Sequence, residues 1–193
     1  MRALSKAGIA PCQSAVYHRA AYFANVLAGV YDFQPPAEVV MRHARGPFYP
    51  KIQSDLDWLC LTQYASVSEI SYEKKEDIWS RTGIYDITDK GFLICKKFSD
   101  EVMWARDASH FLNDLAIAMA MNEDESYETA QAQDFTYNRP SSEPAPIIGF
   151  MNPATNKSLL ASEELRNRVP ASLKPIPQKT LRLYLRYLNK AAA

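Results

Sequence analysis

A chain of 193 residues, 47% of them hydrophobic, is long enough for one domain with a real core, and its 22 basic and 22 acidic side chains leave no net charge to draw in polyanions. No apolar run approaches the roughly 20 residues that span a bilayer, and the first ten residues hold no apolar block of secretory length, so no membrane contact and no secretion are expected. Cys12, Cys60 and Cys95 lie far apart and two of them sit inside apolar patterns, which predicts reduced, buried thiols in a cytoplasmic protein rather than a disulfide frame.

The charge is unevenly placed. Residues 1–99 carry net +2, residues 100–145 net −8 and residues 146–193 net +6. An acidic block followed by a basic one argues against a purely nucleic-acid-binding chain and fits contacts with more than one kind of surface; solvated helix faces explain it equally well.

In chain order, Ser14 is a candidate helix cap. Tyr17, Ala20, Ala21, Ala24, Leu27 and Ala28 follow at helical period, many of them small enough to let another helix approach. The prolines at 35 and 36 end that helix. Residues 38–41 form a short apolar run, either a strand or one helical turn. A helix centred on Leu56 comes next, with Tyr49, Ile52, Gln53, Leu56, Leu59 and Cys60 on one face and Ser54, Asp55 and Trp58 off it. Residues 65–72 read as a strand in which Val67 and Ile70 are out of strict phase. Residues 73–77 read as a charged loop and residues 84–87 as a second strand. Thr88 to Gly91 opens another helix, with Phe92, Cys95, Phe98, Val102 and Met103 expected inward. Asp107 is a candidate cap for a helix carrying Ala108, Phe111, Leu112, Leu115, Ala118 and Met119 on one stripe.

This order predicts a mainly α fold with a small β-hairpin: a winged-helix-like domain with following helices over residues 1–137, its wing at about 72–84. Residues 138–193 form a proline-punctuated arm. Within it, 139–156 read as an extended linker, 158–168 as a short helix, and the end as an amphipathic helix. Leu181, Tyr184, Leu185 and Leu188 share one face of that last helix, with Lys179, Arg182, Arg186 and Lys190 opposite. The pattern suits docking on a partner as well as on its own domain, since apolar spacing does not say whose groove receives it.

The stretch from Arg42 to Leu59 organises the rest. Gly46 and Pro47 make a tight turn that opens the helix centred on Leu56, and Arg42, His43, Arg45 and Lys51 flank it. With Lys74 and Lys75 on the wing, these cations are the candidate contacts to a phosphate backbone or an acidic partner. An ordinary core helix with a solvated basic entrance fits the same residues. There is no glycine-rich phosphate loop, no His-Glu-x-x-His and no Cys-x-x-Cys, and Asp55 and Asp57 point to different faces of their helix. No catalytic residue, metal or cofactor is therefore expected, although a dispersed site assembled by the fold is a third reading.

The segment Tyr17 to Leu27, the Gly46-Pro-Phe-Tyr-Pro50 turn, and Gln53 with Asp55-Leu-Asp-Trp-Leu59 resemble the middle component of ABC-three-component systems, the bacterial anti-phage and anti-plasmid systems of Lamassu type. The resemblance covers about residues 16–72 and the hairpin to Gly91; the last hundred residues match nothing in it. One departure is Leu61 to Tyr64, where a glycine-containing turn is expected. The resemblance implies a non-catalytic subunit bridging an SMC-like ABC ATPase and an effector nuclease, with double-stranded DNA as a further contact it allows. The alternative is a winged-helix transcription regulator or antitoxin that binds an operator through the basic turn.

Overall fold

The second helix lies at the centre because almost every one of its faces is covered. In the computed structural model, which describes residues 1–43, 46–75, 78–121, 126–138, 147–150, 152, 156–169 and 176–192, a short helix α1 (Arg2–Lys6) and strand β1 (Cys12–Gln13) lead into α2 (Ser14–Leu27). Tyr22, Phe23, Val26 and Leu27 are completely buried there. Ser14 is the first residue of α2 and makes no capping bond; Gln13 holds the cap position. A 3₁₀ turn (Ala28–Tyr31) continues the helix until Asp32, in the left-handed conformation, ends it.

Two three-stranded antiparallel sheets follow. Residues 38–41 resolve as part of β2 (Val39–His43), which pairs with β3 (Gly46–Phe48) and, far along the chain, with β6 (Ile147–Gly149). After α3 (Pro50–Leu61), strands β4 (Ala65–Lys75) and β5 (Ile78–Ile87) form a long ribbon, which β1 extends in the order β1-β5-β4. The hairpin is thus longer than the expected strands at 65–72 and 84–87. Of the charged run expected to loop at 73–77, residues 73–75 pair with 78–80, which satisfies their backbone groups, and residues 76–77 lie outside the described residues. The phase slip between Val67 and Ile70 has a cause. A register shift between Ser68 and Ser71, with Glu69 at φ 52°, inserts a bulge there.

Helix α4 (Asp89–Glu101) starts on the Thr88 cap, whose hydroxyl accepts from the Gly91 N–H at 3.1 Å. Helix α5 (Met103–Ala120) begins at once after Val102, so Asp107 lies inside it rather than capping it. Helices α6 (Ser126–Gln133), α7 (Lys157–Arg168) and α8 (Pro177–Ala192) complete the chain.

The described residues beyond 138 pack on the rest of the chain, while most of the expected linker at 139–156 lies outside the described residues. Strand β6 closes the sheet of β2, and the α7 cap Asn156 donates to the Val26 carbonyl at 2.9 Å. Leu181, Tyr184, Leu185 and Leu188, expected as a face offered to a partner, are at most 1% exposed within their own chain. The groove that receives them is lined by α5, α6 and α7, so they serve as core, and only the opposite side of α8 remains outside, with Arg182 half-buried and Arg186 exposed. At roughly 1.5–3 kcal/mol per buried apolar side chain, this face holds the end of the chain in place.

The end of α3 shows how the Leu61 to Tyr64 departure is accommodated. Thr62 is the cap and Gln63 takes the left-handed conformation at φ 62°, where a glycine is usual. The Tyr64 N–H donates to the Leu59 carbonyl at 2.8 Å and the Gln63 N–H to the Cys60 carbonyl at 3.1 Å, a complete Schellman motif. Gln63→Gly is expected to stabilise the protein by about 0.5–1 kcal/mol, because the left-handed penalty for a side chain exceeds the extra unfolded-state freedom of glycine. Thermal unfolding would show this as a rise of about 2 °C in Tm, with Thr62→Gly giving none.

His18 on α2 is 3% exposed, stacks on Tyr49 with ring centroids 6.3 Å apart, and accepts the Tyr49 N–H at Nδ1, 3.2 Å away. Burial lowers its pKa below the ordinary 6.5, so it stays neutral in the folded chain. Above pH 6.5 neither folded nor unfolded His18 is protonated and it adds no slope. Below that, the unfolded chain takes up a proton that the folded one refuses, and stability falls with pH. Urea midpoints measured from pH 7.5 to 5 are expected to decline, and less steeply in His18→Gln.

Candidate partner interface

The side of α3 turned away from α2 carries one of the sequence-predicted contacts, Lys51. Pro50 sits in the first turn, and the apolar stripe centred on Leu56 faces inward as the spacing predicted. The consequence is an outward face of Lys51, Ser54, Trp58 and Leu61, with Trp58 65% and Leu61 77% exposed. The ribbon rises beside it and adds Ile70 and Tyr72, also exposed.

Between helix and ribbon lies an open hollow of about 340 Å³ lined by Asp57, Cys60, Leu61, Val67, Ile70, Arg81 and Tyr85. Arg81 crosses from β5 to pair with Asp57 on α3, and its Nη2 also donates to the Tyr85 hydroxyl at 3.2 Å. The bond to Asp57 raises the Arg81 pKa further. Lys51 pairs with Asp55 one turn on. Burial and the nearby Asp57 push the Cys60 thiol up, so it stays protonated and a poor nucleophile. This surface therefore presents aromatic and aliphatic groups rimmed by charges already engaged with each other. That is the make-up of a protein contact; a phosphate backbone is met by free cations.

The predicted cations are not one patch. Arg42 lies on β2 with its guanidinium over the Tyr137 ring, 5.6 Å from the centroid. His43 ends the same strand and pairs with Gly46; its side chain and the whole of Arg45 lie outside the described residues. Lys51 opens α3. Lys74 and Lys75 sit at the far end of β4, in register with Trp79 and Ile78. They therefore belong to two sheets and a helix, and Arg42 packs on an aromatic ring instead of standing free. Sequence spacing could not separate them, because a turn and a strand seen only as sequence do not reveal which sheet each joins.

Trp58 was legible as a residue off the apolar stripe, which is the signal that it faces water. The ribbon's share was missed, since the bulge at Glu69 brings Ile70 onto the side of Val67, beside α3, and nothing local in the sequence marks a bulge. Among the described residues no group of three His, Cys, Asp or Glu side chains is placed to hold a metal ion, and no helix is long and apolar enough to cross a membrane. The chain matches no family model, no curated protein and no solved structure.

Proposed function

We propose that this chain is a non-catalytic adaptor subunit that bridges an SMC-like ABC ATPase and an effector nuclease in a bacterial Lamassu-type defence complex, and that the outer face of α3 with the ribbon is one of its partner contacts. The family assignment rests on the resemblance of residues 16–72. The ribbon directly after the outward helix and the pairing of β1 with β5 support a winged-helix reading of α1 to β5, with the strands β2 and β3 inserted between α2 and α3.

The observation that carries the choice of a protein partner over DNA is the chemistry of the outward face of α3. Trp58 and Leu61 dominate it, and its cation, Lys51, is paired with Asp55. Exposed aromatic side chains ringed by satisfied polar groups are the usual centre of binding energy in a protein interface.

Co-expression with an SMC-like ATPase and a nuclease encoded beside it is expected to yield one stable complex. Trp58→Ala with Leu61→Glu is expected to release the ATPase while unfolding within about 0.5 kcal/mol of the parent, because both side chains are exposed. A chain that purifies alone in the presence of both proteins, or a double variant that still assembles, overturns the reading. Retention on one double-stranded DNA sequence, weakening with salt, is the result that favours the regulator instead.

A further inference from the structure

Helices α2, α3 and α5 do not close over one another. Between them, with α1 and α4 at one end, runs an open cleft of about 460 Å³ whose lining is almost wholly apolar. Its deep part is small side chains, Ala20, Ala21 and Ala24 from α2 and Ala105 and Ala108 from α5, with Leu56 and Leu59 of α3 on the far side. At its rim stand Phe98 and Trp104, 48% and 64% exposed, with ring centroids 5.4 Å apart and planes at 83°. Leu112, 41% exposed, also points into the opening. The stripe of α4 expected to face inward is the source of this: Phe98 and Cys95 line the cleft and stay exposed, and Met103 is 78% exposed. The expectation failed because α4 is backed chiefly by α5 and α1, with its first turn against the end of α3, and the buried positions on it are Gly91 and Ser99.

We infer that this cleft is the contact through which two copies of the chain pair, the Phe98–Trp104 ridge of each entering the alanine-lined cleft of the other. The page of the molecule that holds the socket also holds the knob. A two-fold axis beside the rim exchanges one for the other, which is the requirement for an isologous interface. The volume suits large side chains.

Charge points the same way. A two-fold contact brings each charge near its own kind, and like charges so placed are costly. The groups lining this cleft that can carry charge are Arg2, Asp55 and the amino group of Met1; both side chains are engaged inside the chain, and burial shifts the amine toward its neutral form. Arg2 donates to the Cys95 carbonyl and the Ser99 hydroxyl, at 3.2 and 3.0 Å, and Asp55 holds Lys51. A self-neutral apolar face suits a second copy of itself and offers no complement to a strongly charged partner. Ile94, one turn before Phe98 and 46% exposed, extends the apolar rim toward the roughly 1,000 Å² in total that a specific interface needs.

The inference is independent of the adaptor reading, because it is tested on the purified chain alone. Sedimentation velocity from about 1 to 300 µM is expected to show a concentration-dependent dimer. Trp104→Glu, and separately Phe98→Glu in case the first variant fails to fold, are expected to weaken that dimer at least 100-fold, since each places charge in the contact. Cys95, exposed in the single chain, gives a second readout: maleimide labelling is expected to slow at least tenfold as the dimer forms and to stay fast in either variant. A chain that is monomeric throughout the range overturns the inference. So does a dimer indifferent to both substitutions, which would pair through another face. A monomer that takes up anilinonaphthalene sulfonate one to one and loses it in Trp104→Glu also overturns it, in favour of a small apolar ligand.

Discussion

Asp134→Ala is expected to cost roughly 3–5 kcal/mol and to leave the chain largely unfolded at 37 °C, the largest effect of any single side-chain removal outside the apolar core. Asp134 is completely buried. Its Oδ1 accepts from the Tyr22 hydroxyl, from Ser158 Oγ at 2.6 Å, and from the N–H groups of Thr136 and Tyr137 at 3.0 and 3.2 Å; Oδ2 accepts from the Tyr184 hydroxyl at 2.9 Å. The donors come from α2, α7, α8 and the turn after α6, so one carboxylate joins the central helix to the last third of the chain. Burial pushes the pKa of both tyrosines up, which keeps them protonated as donors. Alanine strands these donors away from water at about 1–3 kcal/mol for each left unpaired, with some relaxation between them. Asp134→Asn keeps the shape and an oxygen for the Oδ1 donors, but it loses the charge and its NH₂ obliges the Tyr184 hydroxyl to turn and accept, so it is expected to recover only part of the loss. Urea unfolding followed by circular dichroism measures both. A midpoint within 0.5 kcal/mol of the parent for the alanine variant would show that the network is dispensable.

Gly91→Ala is expected to destabilise by at least about 3 kcal/mol, although alanine is the better helix former by about 1 kcal/mol in open helices. A Cβ on Gly91 would stand 2.0 Å from the Tyr64 carbonyl oxygen, backbone against backbone. Neither side can step aside cheaply, because the first turn of α4 is what satisfies the end of α3. The Thr88 N–H donates to the Tyr64 carbonyl at 3.1 Å, Thr88 Oγ1 to the Gln63 carbonyl at 2.8 Å, and Lys90 Nζ to the Thr62 carbonyl at 3.0 Å. Pushing α4 away breaks this junction and with it the seat of the ribbon beside α3. The expected signature is a lowered Tm together with loss of partner assembly. An alanine variant as stable as the parent would mean the two backbones are not in contact in solution.

Both predictions turn on contacts between distant parts of the chain, and that marks the line between what local pattern carries and what it does not. Periodicity was enough for the existence and inward faces of α2, α3 and α8, and local pattern for the short helix α7, for the paired strands, and for Trp58 as an outward residue. A repeat of 3.6 or 2 reports which side of an element avoids water. It does not report what covers that side. The apolar face of α8 reads the same whether it meets its own domain or another, and only the assembled groove of α5, α6 and α7 decided for its own. The stripe of Phe92, Cys95 and Phe98 reads as core, yet too little of the chain folds over it and the aromatic end stays bare. Asp134 carries no local mark of its role, because its Tyr22 partner lies 112 residues away. The amino-acid sequence by itself determined a mainly α chain with a β-hairpin and one outward aromatic helix face. Tertiary structure alone decided which apolar faces are spent inside the molecule and which remain for a partner, since burial is a property of two surfaces and a sequence displays them one at a time.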